Sequence, residues 1–433
     1  MKKHINKLIS NPLFSGSAIM LIGSTSASVL NYLYHLIVGR LLGPSAYGEL
    51  ASIISVAGLL GVIPAAANLV IVKQISSAEN PTEVNSLINW FKTKMFLLSL
   101  SFTILILILS PFISSFLKIS KLSYLILISV SFLFSLQSGF NRAILQGLLK
   151  FKELVISILA ENASKLLMSV IFIMAGFAVN GAMFSFVLAS FFGFALVNHY
   201  LKIKDKPDSH VYSNLKPMFL LVLPVLIQSI STTSIYSSDV ILVKHFFSSY
   251  EAGIYASLST LGKIIFFGVG PISSVMFPLV SIRNTKGGNY RKILFSALAA
   301  TTVFALAVCL FYLFLPEVAI NLLFGSLYLK SAKLLIWFGT FMTLFALSFL
   351  LINFGISLGR NKIVIFPLIF SVLQIILIYL FHQTLLEVVF VSNIVNALLL
   401  IALLIYLNFE KGFKYGKNFY KRGKVGLNNS PSI

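Results

Sequence analysis

The chain has 433 residues, of which 58% are apolar and 10% charged, against roughly 45–50% and about 25% in soluble domains. The apolar residues come in runs of about 20, the length that crosses a bilayer core, so an ordinary soluble fold is excluded. The 33 Lys and Arg against 12 Asp and Glu give a formal net charge of +21, yet nearly all the cations stand between or beyond the apolar runs, which assigns them to helix orientation and excludes nucleic acid as a partner.

The basic start, Met1-Lys2-Lys3 through Lys7, resembles the charged region of a secretion signal. The stretch that follows is longer than a signal core and is dotted with Ser, Asn and His, so it is expected to stay as the first membrane helix. Windows of about 20 residues predict twelve spans, centred near Ile22, Gly58, Ile104, Val130, Met168, Ala189, Ser231, Phe266, Ala305, Leu344, Ile369 and Ala397. Pro64, Pro224, Pro271 and Pro278 fall within spans and mark places for kinks or gates.

Polar side chains in these spans recur every three or four positions, which puts each set on one helix face. The first span carries Ser24, Ser28, Asn31 and His35, and the fourth Ser135, Ser138, Arg142 and Gln146. The fifth carries Ser157, Glu161 and Lys165, the seventh Gln228, Thr232, Tyr236 and Asp239, and the eighth Lys263. An ionisable group in the bilayer core is costly and normally faces the bundle interior or a wet cavity. The first, fourth, fifth, seventh and eighth spans are therefore expected to line a central cavity with three cations, Arg142, Lys165 and Lys263. Arg142 and Lys263 have no acid nearby on their own helix and are the better placed to meet an anionic ligand, whereas Glu161 and Lys165, four apart, can pair. Ser28, Asn31, Ser138, Gln146, Gln228, Thr232 and Tyr236 would supply polar lining, and Glu161 and Asp239 are nominated for coupling to H+ or Na+. His35, Gln374, Asn393 and Asn396 read as helix-packing residues. Arg40, Glu49, Lys244 and Glu251 read as rim residues or solvated helix ends. Cys309, the single cysteine, allows no intrachain disulfide. No His/Cys/Asp/Glu cluster suggests a metal, no Gly-rich phosphate loop is present, and no cofactor is expected. Energy must come from an ion gradient or from the substrate's own gradient.

The two halves correspond. Gly48, Ala51 and Ser52 match Gly253, Ala256 and Ser257, and Asn141, Ile144, Gly147 and Lys150 match Asn353, Ile356, Gly359 and Lys362. Six spans per half is an even number, so both halves enter the membrane from one side, related by a pseudo-twofold axis along its normal. The expected organisation is a lobe over 1–210, a second lobe over 211–410 and a basic tail over 411–433. With the amino terminus inside, 24 of the Lys and Arg fall on the inner side, 6 on the outer and 3 within spans, a bias that puts both termini in the cytoplasm.

The run Gly39-Arg40-Leu41-Leu42-Gly43-Pro44-Ser45-Ala46-Tyr47-Gly48, followed by an Ala-rich span, resembles the signature of bacterial polysaccharide and oligosaccharide-lipid flippases, members of the superfamily that includes multidrug and toxin extruders. Pro224, Asp239, Gly253-Ile254-Tyr255-Ala256 and Met276-Phe277-Pro278 extend the resemblance. It implies translocation of an undecaprenyl-diphosphate-linked O-antigen or capsule repeat unit from the cytoplasmic to the periplasmic leaflet of the bacterial inner membrane, alongside polysaccharide assembly proteins and membrane lipid. A peptidoglycan-precursor or teichoic-type flippase is the near alternative. A cation-coupled multidrug extruder of the same superfamily would be expected to have a more acidic cavity. A membrane-embedded polysaccharide polymerase or ligase would need a large catalytic outer loop, so a transporter and not an enzyme is expected.

Overall fold

The computed structural model describes residues 12–78, 80–201, 216–285 and 288–409. The basic start, the connection at 202–215 where the lobe boundary was expected, and the 411–433 tail lie outside the described residues. Within them the chain is helical and contains no strand, and nine segments are long and apolar enough to cross a membrane.

In chain order the helices are α1 Pro12–Ala65, α2 Ala67–Ser77, α3 Pro81–Leu117, α4 Ser123–Gly147, α5 Phe151–Phe172, α6 Ala178–Tyr200, α7 Lys216–Phe246, α8 Ser249–Thr285, α9 Arg291–Phe314, the short α10 Pro316–Leu323, α11 Leu335–Ser357, α12 Ile365–Leu380 and α13 Leu385–Phe409. A straight helix of the length of α1 would run about 80 Å, far beyond a bilayer core of about 30 Å. It does not run straight. Gly43 takes φ 72° and ψ 171°, a conformation open to glycine and strained for other residues, and Pro44 starts the returning helix with its φ already set. Between α5 and α6 the chain reverses similarly at Gly176, φ 90°. Of the four prolines, Pro64 adjoins an interruption, since helix resumes only at Ala67, while Pro224, Pro271 and Pro278 lie inside α7 and α8 without a break.

The buried apolar residues form three clusters. One joins the two halves of the chain at the end where Gly43 lies and includes Tyr34, Tyr47, Val243, Tyr255, Phe324 and Phe338. At the opposite end each half has its own: Ile71, Phe91, Phe140 and Leu145 in the first, Met276, Leu350, Phe354 and Leu403 in the second. The buried apolar core thus joins the halves at the Gly43 end and is divided between them at the other. Large apolar side chains such as Ile22, Phe112, Met174, Val303 and Phe314 remain more than 60% exposed, an outer surface suited to lipid rather than water.

The joint at the Gly43 end is made by backbone contact. A Cβ at Gly253 would collide with the Pro44 carbonyl, and one at Gly48 with the Ser249 carbonyl and the Gly253 amide. Two positions that correspond in sequence therefore face each other in space. Lys244 of α7, 1% exposed, donates from Nζ to the carbonyls of Leu117 at 2.9 Å and Lys118 at 3.1 Å, so it caps the C-terminus of α3, where cations are favoured. The neighbouring His245 bonds the Phe116 carbonyl through Nδ1 at 2.7 Å and stacks on the Phe116 ring.

Candidate functional site

Between the halves lies a cavity of about 650 Å3. Its walls come from both arms of α1, from α5 through Asn162, and from α7 and α8. On the first arm Ser28, Asn31, Tyr32 and His35 follow a helical period and face it together; on the second, Ile54, Ser55, Gly58, Gly61 and Val62 form a wall in which Ser55 and the two glycines leave room. Opposite stand Thr233, Tyr236 and Ser237 of α7, and Thr260, Lys263 and Phe267 of α8.

Lys263 is the charged side chain of this lining, and the lining contains no carboxylate. Its Nζ stands 5.4 Å from the centre of the Tyr236 ring, a cation–π contact that leaves the ammonium hydrogens for a ligand. Lys165 lies beside the wall: its Nζ donates to Asn31 Oδ1 at 2.9 Å and sits 4.9 and 5.2 Å from the Tyr34 and Phe186 rings. Two cations thus stand at or beside the wall, each within electrostatic reach of an acid outside the lining, Asp239 for Lys263 and Glu161 for Lys165.

The cavity is sealed on the side of Gly43. Thr260 donates its hydroxyl proton to the Ala256 carbonyl at 2.8 Å, so its oxygen is left to accept from the Tyr47 hydroxyl at 3.1 Å. The Tyr47 oxygen then accepts from His35 Nδ1 at 3.2 Å, which assigns the Nδ1–H tautomer. This chain of hydrogen bonds crosses from the first half of the sequence to the second. Behind it the Tyr328 hydroxyl donates to the Gly39 carbonyl at 2.6 Å.

Other expected site residues stand elsewhere. Arg142 meets Glu161 of the adjacent helix at 2.5 Å and also donates to the Ser157 hydroxyl and carbonyl, both at 3.0 Å. Ser138 donates to Glu161 at 3.3 Å. The expected pairing of Glu161 with Lys165 is therefore replaced by one with Arg142, because the polar faces of α4 and α5 meet and a bidentate-capable guanidinium wins the carboxylate. Gly193 of α6 leaves the room for it, since a Cβ there would collide with the Glu161 carboxylate. Gln146 is exposed at the end of α4. Gln228 donates to Asn353 Oδ1 at 3.1 Å within the second half, and Thr232 is buried. Asp239 is fully buried and turned from the cavity, accepting from the Tyr255 hydroxyl at 3.0 Å and the Val240 amide at 2.8 Å. Of the rim residues, Arg40 and Glu251 are exposed, whereas Glu49 and Lys244 are buried, Glu49 accepting from the Ser120 hydroxyl at 2.8 Å.

Ser28, Asn31, Tyr236 and Lys263 are thus brought together at the cavity, with Lys165 beside it; Arg142, Ser138 and Glu161 form a separate cluster. Sequence reasoning missed the second arm of α1, whose small residues Ser55, Gly58 and Gly61 recur every three positions and line the cavity by their lack of bulk. It also assigned His35 to packing.

A helical bundle with an internal polar cavity, walled by both halves and faced with lipid-compatible side chains, is the architecture of a multi-pass membrane transporter. The fold is shared with a multidrug resistance MATE family transporter of the MOP superfamily in its inward-facing conformation, at TM-score 0.73 and 17% identity over 93% of this chain and 96% of the other. It is shared also with the lipid II flippase MurJ in an inward closed conformation, at TM-score 0.70 and 17% identity over 94% and 93%. An uncharacterized membrane protein of Methanocaldococcus jannaschii is 24% identical over 383 residues, covering 80% of this chain and 89% of that protein. Residues 37–333 match the sequence model of the family described as polysaccharide biosynthesis protein, and the chain belongs to that family.

Proposed function

We propose that the chain is a flippase that moves undecaprenyl-diphosphate-linked oligosaccharide repeat units, of the O-antigen or capsule type, from the cytoplasmic to the periplasmic leaflet by alternating access. The observation that carries this reading is the cavity with Lys263 in its wall, Lys165 beside it and no carboxylate in its lining, in a member of a polysaccharide biosynthesis family. A diphosphate is attracted to two ammonium groups, while Asn31, Asn162, Tyr32 and Ser237 offer hydrogen bonds to sugars. The absence of a lining carboxylate speaks against the cationic drugs of a multidrug extruder.

The reading includes twelve crossings in two six-helix lobes. Dividing the two longest apolar segments at Gly43 and Gly176 and adding α7 to the nine gives that number. The approach of Gly48 to Gly253 supports a twofold relation between the lobes. With both termini in the cytoplasm, the Gly43 end lies outside, and a cavity sealed there opens inward, ready to load from the cytoplasmic leaflet of the inner membrane. Assembly proteins that elongate the glycan would receive the product on the far side. Arg142, engaged by Glu161 and Ser157, leaves the diphosphate set and becomes a scaffold residue; Lys263 and Lys165 remain.

The test is flipping of a fluorescent polyprenyl-diphosphate oligosaccharide in proteoliposomes. Lys263→Gln is expected to lower the rate roughly 10- to 100-fold, as loss of a charge-assisted contact of about 1.5–3 kcal/mol would, with thermal stability unchanged. An unaltered rate in the Lys263→Gln, Lys165→Gln double variant sinks the assignment.

A further inference from the structure

A second compartment adjoins the cavity. It is a groove of about 520 Å3 along α8 and α11, walled by Phe266, Phe267, Gly270, Phe277 and Phe349, and Phe267 borders both spaces. Lys263, Phe267, Gly270, Ser274 and Phe277 step by four and three, so one face of α8 leads from the ammonium in the cavity along the groove. The run covers about 20 Å of helix.

The two spaces differ in chemistry. In the groove the polar side chains are bonded within the protein: Asn353 donates to Ser273 Oγ at 3.1 Å and accepts from Gln228 at 3.1 Å, and Ser274 Oγ donates to the Pro271 carbonyl at 2.9 Å. Ring faces are what remain, with Phe267 46% and Phe277 37% exposed. A sugar would find few side-chain partners there, whereas a branched hydrocarbon would find shape contact. Lipid already solvates a hydrocarbon, so such a groove gains little from burial and acts through packing and orientation.

We propose that this groove is a chain-binding subsite, holding the isoprenoid segment next to the diphosphate along Phe267, Gly270 and Phe277 while the diphosphate sits at Lys263. The proposal rests on the flippase reading and adds to it a place on the protein for the lipid half of the substrate. It also makes the isoprenoid a determinant of recognition, because a chain fixed on one face of α8 aims the head at Lys263.

Gly270 supplies the test, since a Cβ there meets nothing within 4 Å and a larger side chain fills the groove without displacing the fold. Transport is measured in proteoliposomes with two substrates of identical diphosphate-sugar head, one on the full polyprenyl chain and one on a butyl chain, which ends short of Gly270 when the diphosphate is at Lys263. Gly270→Leu is expected to slow the long-chain substrate about tenfold or more, through lost positioning, and to leave the short-chain substrate at the wild-type rate. Equal loss of both, or wild-type rates for both, overturns the subsite while leaving the flippase reading in place. Wild-type protein that moves neither substrate overturns the flippase reading and the subsite together. As a second measurement, benzoylphenylalanine in place of Ser274 is photolysed with labelled polyprenyl diphosphate. An adduct is expected there and not with the same probe in place of Val29, which lies in a separate apolar groove between α1 and α5. Labelling at 29 and none at 274 overturns the proposal.

Discussion

At Arg142 the deciding partner comes from another helix. Spacing along one helix exposes pairs such as Glu161 and Lys165, but the competition for Glu161 is settled by the crossing of α4 on α5, which no single-helix pattern contains. The guanidinium uses Ser157 and Glu161 together. Arg142→Gln should then leave the Glu161 carboxylate without its ion-pair partner and destabilise the fold by about 1–3 kcal/mol, between the values for exposed and fully buried pairs. Adding Glu161→Gln should restore part of that loss, as thermal unfolding in detergent will register; additive losses would mean the pair is not coupled. Asp239 is the better coupling candidate of the two acids, since no ion pair holds it: the Tyr255 hydroxyl and the Val240 amide donate to it, and Lys263 of the cavity wall acts on it through its charge. If it carries a proton or sodium ion through the cycle, Asp239→Asn should flip substrate at a rate that no longer responds to an imposed gradient. A wild-type gradient response in that variant removes Asp239 from coupling.

For α1 the sequence revealed two apolar spans and a glycine-rich join, and the structure explains the join. Gly43 makes the turn by its positive φ, Pro44 starts the next arm, and Gly48 lets that arm touch α8. The correspondence of Gly48 with Gly253 was legible, but not that the two meet, because correspondence reports symmetry and contact requires lying near the axis. Lys244 was harder still. A cation at a span end reads as solvated, and only the arrival of the α3 carbonyls makes it a buried cap. Gly253→Ala is the sharpest probe of this joint: its methyl would strike the Pro44 carbonyl, backbone that cannot rotate away. A stability loss of about 1–3 kcal/mol, as for overpacked cores, together with reduced flipping is expected, and a variant as stable as the wild type would show the joint to be loose.

Across the whole molecule the three apolar clusters are arranged so that one is shared at the Gly43 end and two are separate at the other. In the proposed alternating-access cycle this arrangement is exchanged for its converse: the shared apolar cluster and the Gly48–Gly253 contact must part, and with them the polar links of Tyr47 to Thr260 and of Lys244 and His245 to the end of α3. Lys244 adds a charged link to that joint. Removing that charge should shift the population toward the outward-open state without touching the cavity, because the balance moves only by the difference in contacts between the two states. Gly58 lines the cavity, and a Cβ there meets nothing within 4 Å, so a cysteine at that position reports access with little strain. In a chain with Cys309→Ser and Gly58→Cys, a membrane-impermeant thiol reagent should label from the cytoplasmic side and scarcely from the outside. Adding Lys244→Met should raise labelling from the outside about fivefold or more, corresponding to roughly 1 kcal/mol. Equal labelling from both sides before that change, or no rise after it, would show that Lys244 does not hold the outer end shut.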